Sequence, residues 1–162
     1  MAVDTKLVVN RRDVHYESLS DFLVDAERQA AGDAHRLGNW SLAQIFDHLS
    51  RSLRVAVDGT DARFPGPARF LLHLIRKRFF SRPMKPGFHV PEKLERVLRP
   101  GDGLVTERSL QELRAAVSRF ETATELTVHP AFGRLTRDEW LQLTFRHAEL
   151  HMSFVVPERP LP

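Results

Sequence analysis

The residues best placed to do chemistry are two histidines four apart, His147 and His151, in a run that begins at Thr136 and ends before Pro157. On a helix, an i, i+4 spacing puts both imidazoles on one face. Projected at about 100° per residue, that face is apolar, with Trp140, Leu141, Thr144, Ala148, Phe154 and Val155 around the two rings. Gln142, Arg146, Glu149 and Ser153 occupy the opposite, polar arc. Burying two imidazoles without partners costs roughly 1–3 kcal/mol each. A shared metal ion satisfies both at once, and it binds the neutral form. His48 offers a third ligand from an earlier helix, at the flank of its apolar stripe beside Ile45 and Ser52. Three histidines with a fourth position open is the ligand count of a catalytic rather than a structural site. Buried histidines also bond to carboxylates and carbonyls, so the pair alone does not decide the matter.

The other five histidines read more plainly. His15, His35 and His89 lie in polar or loop contexts, and His73 sits on a short basic helix as a packed or half-exposed residue. His129, in the loop before the last helix, is the candidate catalytic group because it can reach the mouth of a pocket there. Asp47 and Glu149 are the other acid/base candidates, but both project to polar arcs and read as solvated. There is no cysteine, which excludes disulfides, thiolate ligands and a cysteine nucleophile; any thiol must come from outside.

The elements that must carry these residues are helices with clear start signals. Over residues 18–31, Leu19, Phe22, Leu23 and Ala26 recur at helical spacing, with Ser18 or Ser20 as cap. Ser41 and Gln44 form a capping box before Leu42, Ile45, Phe46, Leu49, Leu53 and Ala56, and Asp58-Gly59 ends that helix. Ser109 to Glu112 repeats the box before Leu113, Ala116, Val117 and Phe120. Thr136 to Glu139 does so again, and the last helix is expected to run to about Val156. The connection 58–103 is rich in proline and contains a fifth, shorter helix over 68–80. Only residues 6–10 and 124–128 read as β-like.

These elements predict an all-α, four-helix bundle, with a long connection holding a short extra helix between helices two and three. Such a crossover lets helices two and three run parallel. The 162 residues suit one domain over 1–162, at 42% hydrophobic and 28% charged residues. The N-terminal residues lack the apolar core of a signal peptide, and no run approaches a spanning helix, so a soluble, cytoplasmic protein is expected. The net charge of +3 is modest. Basic residues cluster at Arg69, Arg76, Lys77, Arg78, Arg82 and Lys85 without the motif or interleaved pattern of a nucleic-acid reader.

The pattern Trp40-Ser41, Gln44 and Asp47-His48-Leu49, followed about a hundred residues later by His147-Ala148-Glu149-Leu150-His151, resembles the DinB-like (DinB/YfiT-like) superfamily. Residues 129–136 with Glu139-Trp140 resemble a branch of it known only as a domain of unknown function. The resemblance runs from about Glu17 to Val155. It implies a four-helix bundle whose metal is held by His48, His147 and His151. It also implies kinship with thiol S-transferases that use low-molecular-weight thiols, a thiol-dependent isomerase and metal-dependent hydrolases.

The expectation is therefore a metal-dependent transferase or hydrolase acting on a small molecule. Its cofactor would be a divalent ion, zinc or nickel foremost, with a low-molecular-weight thiol as an optional cosubstrate. Neither nucleic acid nor membrane is expected as partner, and a homodimer is left open. Two alternatives stand beside it. One is a non-catalytic metal-binding or sensing module. The other is a membrane- or partner-binding protein using the basic amphipathic segment 68–80, against which stands packing of its aromatics and leucines on the bundle. An exposed patch of Phe70, Leu74, Phe79 and Phe80 would favour the last.

Overall fold

A computed structural model of the protein describes residues 2–157. The fold is all-α apart from one pair of short strands. Its helices are α1 (Leu19–Ala31), α2 (Leu42–Asp58), α3 (Gly66–Phe80), α4 (Glu92–Leu98), α5 (Thr106–Thr122) and α6 (Arg137–Met152). Strands β1 (Ala34–Arg36) and β2 (Val155–Pro157) pair antiparallel, with His35 opposite Val156.

Three helix starts are built as their sequences require. Ser18 Oγ accepts the Asp21 N–H at 3.0 Å. In α2 and α6 both halves of a capping box are made, by Ser41 with Gln44 and by Thr136 with Glu139. The expected box at Ser109 is absent. α5 begins a turn earlier, behind Val105, and Ser109 is buried inside the helix with its N–H bonded to the Val105 carbonyl. Gly103 lies just upstream at φ +64°, and Thr106-Glu107-Arg108 form the first helical turn.

The end of α6 also differs from expectation. It stops at Met152 rather than near Val156, because Pro157 disfavours helical backbone at the residue before it and the β-branched Val155-Val156 pair suits a strand. Neither expected β-like stretch is a strand. Residues 124–128 instead close the end of α2: the Thr127 N–H donates to the Ala56 carbonyl at 2.8 Å, and its hydroxyl donates to that of Val55 at 2.8 Å. Gly59, at φ +79°, fits against that threonine. Residues 6–10 follow a turn closed by the Leu7 N–H on the Asp4 carbonyl.

α2 and α5 form the most extensive helix pair. Arg54 pairs with Glu112, and Asp58 one turn on with Arg119, so the two helices run parallel. Gly101, just before α5, donates to Asp47 near the start of α2, as that direction requires. One contiguous core runs from Tyr16 to Val155 and centres on Phe22, Phe46, Leu113, Phe120 and Met152, each fully buried. The long connection holds two helices, α3 and α4, rather than the one expected. α4 is short and apolar mainly at Leu94, its one buried residue, so the periodic signal over 92–98 is weak.

Candidate metal centre

α2 presents His48 from the edge of its core face, 7% exposed. The side chain is held from behind. Its Nδ1–H donates to the carbonyl of Leu98 at 2.8 Å. Leu98 is the last residue of α4, where helix carbonyls lack intrahelical partners, so the acceptor is free. With the proton on Nδ1, the Nε2 lone pair of His48 faces the bundle interior. A ligating histidine whose second nitrogen donates to a carbonyl is the usual way a protein fixes ligand tautomer and ring orientation.

α6 supplies the other two nitrogens. The Nε2 atom of His147 lies 3.0 Å from Nε2 of His48 and 3.0 Å from Nε2 of His151. One nitrogen from each of the three residues falls within 4.8 Å of the others. Burial pushes His48 below the ordinary histidine range, against a weaker opposing pull from the Leu98 carbonyl. Burial first, and the neighbouring histidines second, hold His147 and His151 well below it. All three are therefore neutral near pH 7.

Three neutral imidazoles cannot satisfy one another in this arrangement. If His147 Nε2 carries a proton, it can point that proton at only one of its two neighbours. If it does not, it meets the lone pair of His48 head on. A cation at the common focus accepts all three lone pairs, at about 2.0–2.1 Å for a zinc–imidazole bond. The residues fit a divalent ion on the chemistry of their donor set.

Trp40 roofs the cluster. Its indole stacks on the His151 ring at 5.4 Å and 17°, and lies 4.7 Å from that of His48. The loop carrying it seats closely on Phe154: a Cβ at Gly38 would come within 3.3 Å of that ring. Trp40 marks the sequence motif, but its role as a wall of the site was not foreseen. The only available signal was a bulky aromatic next to a helix cap. The Leu98 carbonyl carries no side-chain signal at all. The three histidines open on a cavity of about 1360 Å³, bordered also by His129, Trp140, Phe79 and Phe88.

Residues 8–158 match the family described as a protein of unknown function (DUF1569). The chain belongs to that family. No curated protein and no solved structure matches it.

His129 of this DUF1569 chain lies in a tightly built loop. The His129 and Gly133 backbones exchange hydrogen bonds at 2.9 and 3.0 Å, with Gly133 at φ +77°. Inside that ring, Nδ1 of His129 accepts from the N–H groups of both Ala131 and Phe132, at 3.0 and 3.1 Å. The carbonyls are satisfied from outside: Phe64 N–H donates to Pro130, and His73 Nδ1–H to Phe132 at 2.7 Å. His73 is thus packed and half-buried, as expected, while His15, His35 and His89 are exposed.

Two donors on Nδ1 force the remaining proton of the His129 ring onto Nε2. Burial between the rings of Phe132 and Trp140, each 4.9 Å away, pushes its pKa down to about 3. His129 borders the cavity from the loop before α6. It is a neutral imidazole in the cavity wall whose free group is a donor. The indole N–H of Trp140 beside it is buried and has no partner among the described residues.

Asp47 and Glu149, read from sequence as solvated, are both 7% exposed. Asp47 accepts from Arg51 and from the Gly101 N–H. Glu149 accepts from Arg146 and from the Tyr16 N–H. The C-terminal part of the polar arc of α6, from Arg146 to Ser153, is covered because the N-terminal segment crosses it, while Gln142 stays exposed. Arg11 donates to Ser153 Oγ and the Arg12 N–H to the Ser153 carbonyl. Both carboxylates are occupied in holding the fold.

Proposed function

We propose that this DUF1569 protein is a metal-dependent enzyme of the DinB-like superfamily, a thiol S-transferase or hydrolase acting on a small molecule. The observation that carries the reading is the convergence of three Nε2 atoms on one point that opens into a cavity. His48, His147 and His151 would hold the ion; zinc, nickel, copper and iron all suit three imidazoles, and zinc or nickel is the ion proposed. When bound, the ion supplies Lewis acidity and lowers the pKa of a water or thiol beside it.

The chain's own residues do the rest. Trp40 and the Leu98 carbonyl keep two imidazoles in one orientation, which limits reorganisation during a reaction. Phe79, Phe88 and Trp140 exclude water and strengthen electrostatic interactions inside the cavity. His129 acts as catalytic group in a narrower sense than a proton shuttle. Its Nε2–H donates to an oxygen of the substrate and stabilises charge developing there. Arg78, Arg82, Lys85 and Arg99 border the cavity against Glu95, which pairs with Arg99, and Asp102, and this positive balance favours an anionic substrate or thiol.

A screen of low-molecular-weight thiols against small electrophiles, and of small esters and amides, tests the reading. Turnover should disappear on chelation, return with a divalent ion, and be absent in His48→Ala. His129→Ala should lose about 10²–10³-fold in kcat while keeping the metal, as expected for one donor to a developing charge. Metal binding without turnover of any thiol or ester substrate, in a protein whose metal responds only to occupancy, would favour the sensing module instead.

A further inference from the structure

α3 carries two faces of different character. Leu72, His73, Arg76, Phe79 and Phe80 turn inward, where Arg76 pairs with Glu139 of α6 at 2.9 Å. The outward arc holds Phe70, Leu71, Leu74 and Ile75, which are 66%, 59%, 61% and 42% exposed. At an i, i+1, i+4, i+5 spacing these four side chains form one continuous apolar stripe, and exposed Lys77 and Arg78 follow it at the C-terminal end. Isolated exposed apolar residues are ordinary on a protein surface, but four large ones on one helix face mark an interaction site.

The charge around the stripe identifies the kind of partner. Residues 62–91 contain seven Arg and Lys (Arg63, Arg69, Arg76, Lys77, Arg78, Arg82, Lys85) and no Asp or Glu. The whole chain has 24 basic and 21 acidic residues, so the remainder has 17 basic against 21 acidic. The positive charge is thus concentrated in the segment that bears the apolar face. Two copies meeting through α3 would set exposed Lys77 and Arg78 of one against those of the other. A nucleic acid would neutralise the charges but leave the stripe in water. An anionic lipid surface takes both.

We propose that the outward face of α3 docks the protein on an anionic phospholipid membrane, with the helix lying in the interface. Its 15 residues extend about 22 Å at 1.5 Å each, short of the roughly 30 Å hydrocarbon core, and among the described residues no helix is long and apolar enough to cross a membrane. Phe70, Leu71, Leu74 and Ile75 enter the acyl boundary while Lys77 and Arg78 reach the headgroups. Ile75 and Arg78 also border the cavity, so docking brings its mouth to the bilayer surface. The contact involves neither the histidines nor a metal.

The test is co-sedimentation of the whole chain with phosphatidylcholine vesicles and with equimolar phosphatidylcholine–phosphatidylglycerol vesicles, at low and physiological salt. The protein should partition onto the anionic vesicles and leave pure phosphatidylcholine largely unbound. Lys77→Gln/Arg78→Gln should weaken partitioning by about tenfold or more, at about fivefold for each charge near the surface. Leu71→Ser/Leu74→Ser should weaken it at least as much with an unchanged helical circular dichroism signal, since both side chains already lie in water. Equal partitioning onto both vesicle types, or onto neither, overturns the proposal. So does full binding by Leu71→Ser/Leu74→Ser, which would indicate a polyanion site read by charge alone. A dimer in sedimentation velocity that the serine variant dissolves would assign the face to a second copy and also overturn it.

Discussion

At the scale of single residues, the site depends on where each imidazole keeps its proton. His48 has Nδ1–H on the Leu98 carbonyl, which turns Nε2 toward the focus. His129 has the reverse arrangement, because two backbone N–H groups occupy Nδ1. The first histidine is prepared to bind a cation and the second to donate a hydrogen bond. The second role also bears on stability. An unfolded histidine takes up a proton below about pH 6.5, whereas folded His129 resists it down to about 3. Its contribution is therefore fully present above pH 6.5 and is lost as pH falls toward 3, at up to about 1.4 kcal/mol per pH unit for one such group. Asn at this position keeps an acceptor for the two N–H groups and cannot titrate. Denaturant unfolding from pH 7 to 4 should show a shallower loss of stability in His129→Asn than in the parent; identical slopes would show that His129 titrates freely in the fold. The sequence revealed His48, His147 and His151 because side-chain type and helical spacing suffice to place them. It could not reveal the tautomers, which are set by backbone groups of residues 98, 131 and 132 that any sequence supplies.

At the scale of elements, helices whose caps and stripes agree were legible and those without such agreement were not. α2 opens at Ser41 and closes at Gly59 as its sequence requires, and its stripe fixes the side from which His48 projects. α5 has the same kind of signal at Ser109, but tertiary packing carries the helix a turn further upstream and buries that serine. The two serines can be separated by mutation. Ser41→Ala should cost about 1 kcal/mol, the usual worth of an N-cap, while Ser109→Ala, with no cap to lose, should cost clearly less. Equal losses in thermal or urea unfolding would return Ser109 to a capping role. α3 shows the other limit of pattern reading. Packing of its aromatics and leucines on the bundle is the favoured reading of the sequence, yet they divide by face. Leu72, Phe79 and Phe80 join the bundle and Phe70, Leu71, Leu74 and Ile75 do not. A helix apolar nearly all round gives no phase from which to tell one face from the other.

At the scale of the whole molecule, the parallel α2 and α5, the crossing N-terminal segment and α6 form a core that does not depend on an ion. Tyr16, Phe22, Phe46, Phe120 and Met152 belong to one contiguous apolar core. The N-terminal segment is fastened separately, by Arg12 on both oxygens of Asp25 at 2.6 Å and by the Tyr16 hydroxyl on the same carboxylate. A chain of this length can bury enough apolar surface to fold without a metal, unlike a zinc finger. His151→Ala should accordingly keep its helical circular dichroism spectrum and a cooperative melt. Loss of helicity in that variant, or in the parent on chelation, would make the ion part of the fold. The bundle class was readable from the helical stripes and caps, and the parallel pair from the long connection. The strand pair β1–β2 was not, because three residues on each side leave no periodic signal.

The central claim is that one cation is held by three histidines from two helices. Calorimetric titration of the metal-free protein with Zn²⁺ and with Ni²⁺ tests it directly, run in parallel on His48→Ala, His147→Ala and His151→Ala. The parent should bind one ion per chain. Each variant should lose more affinity than the roughly 10–100-fold that an outer-shell partner is worth. Failure of the parent to bind either ion, or binding left intact by any of the three substitutions, would contradict the site.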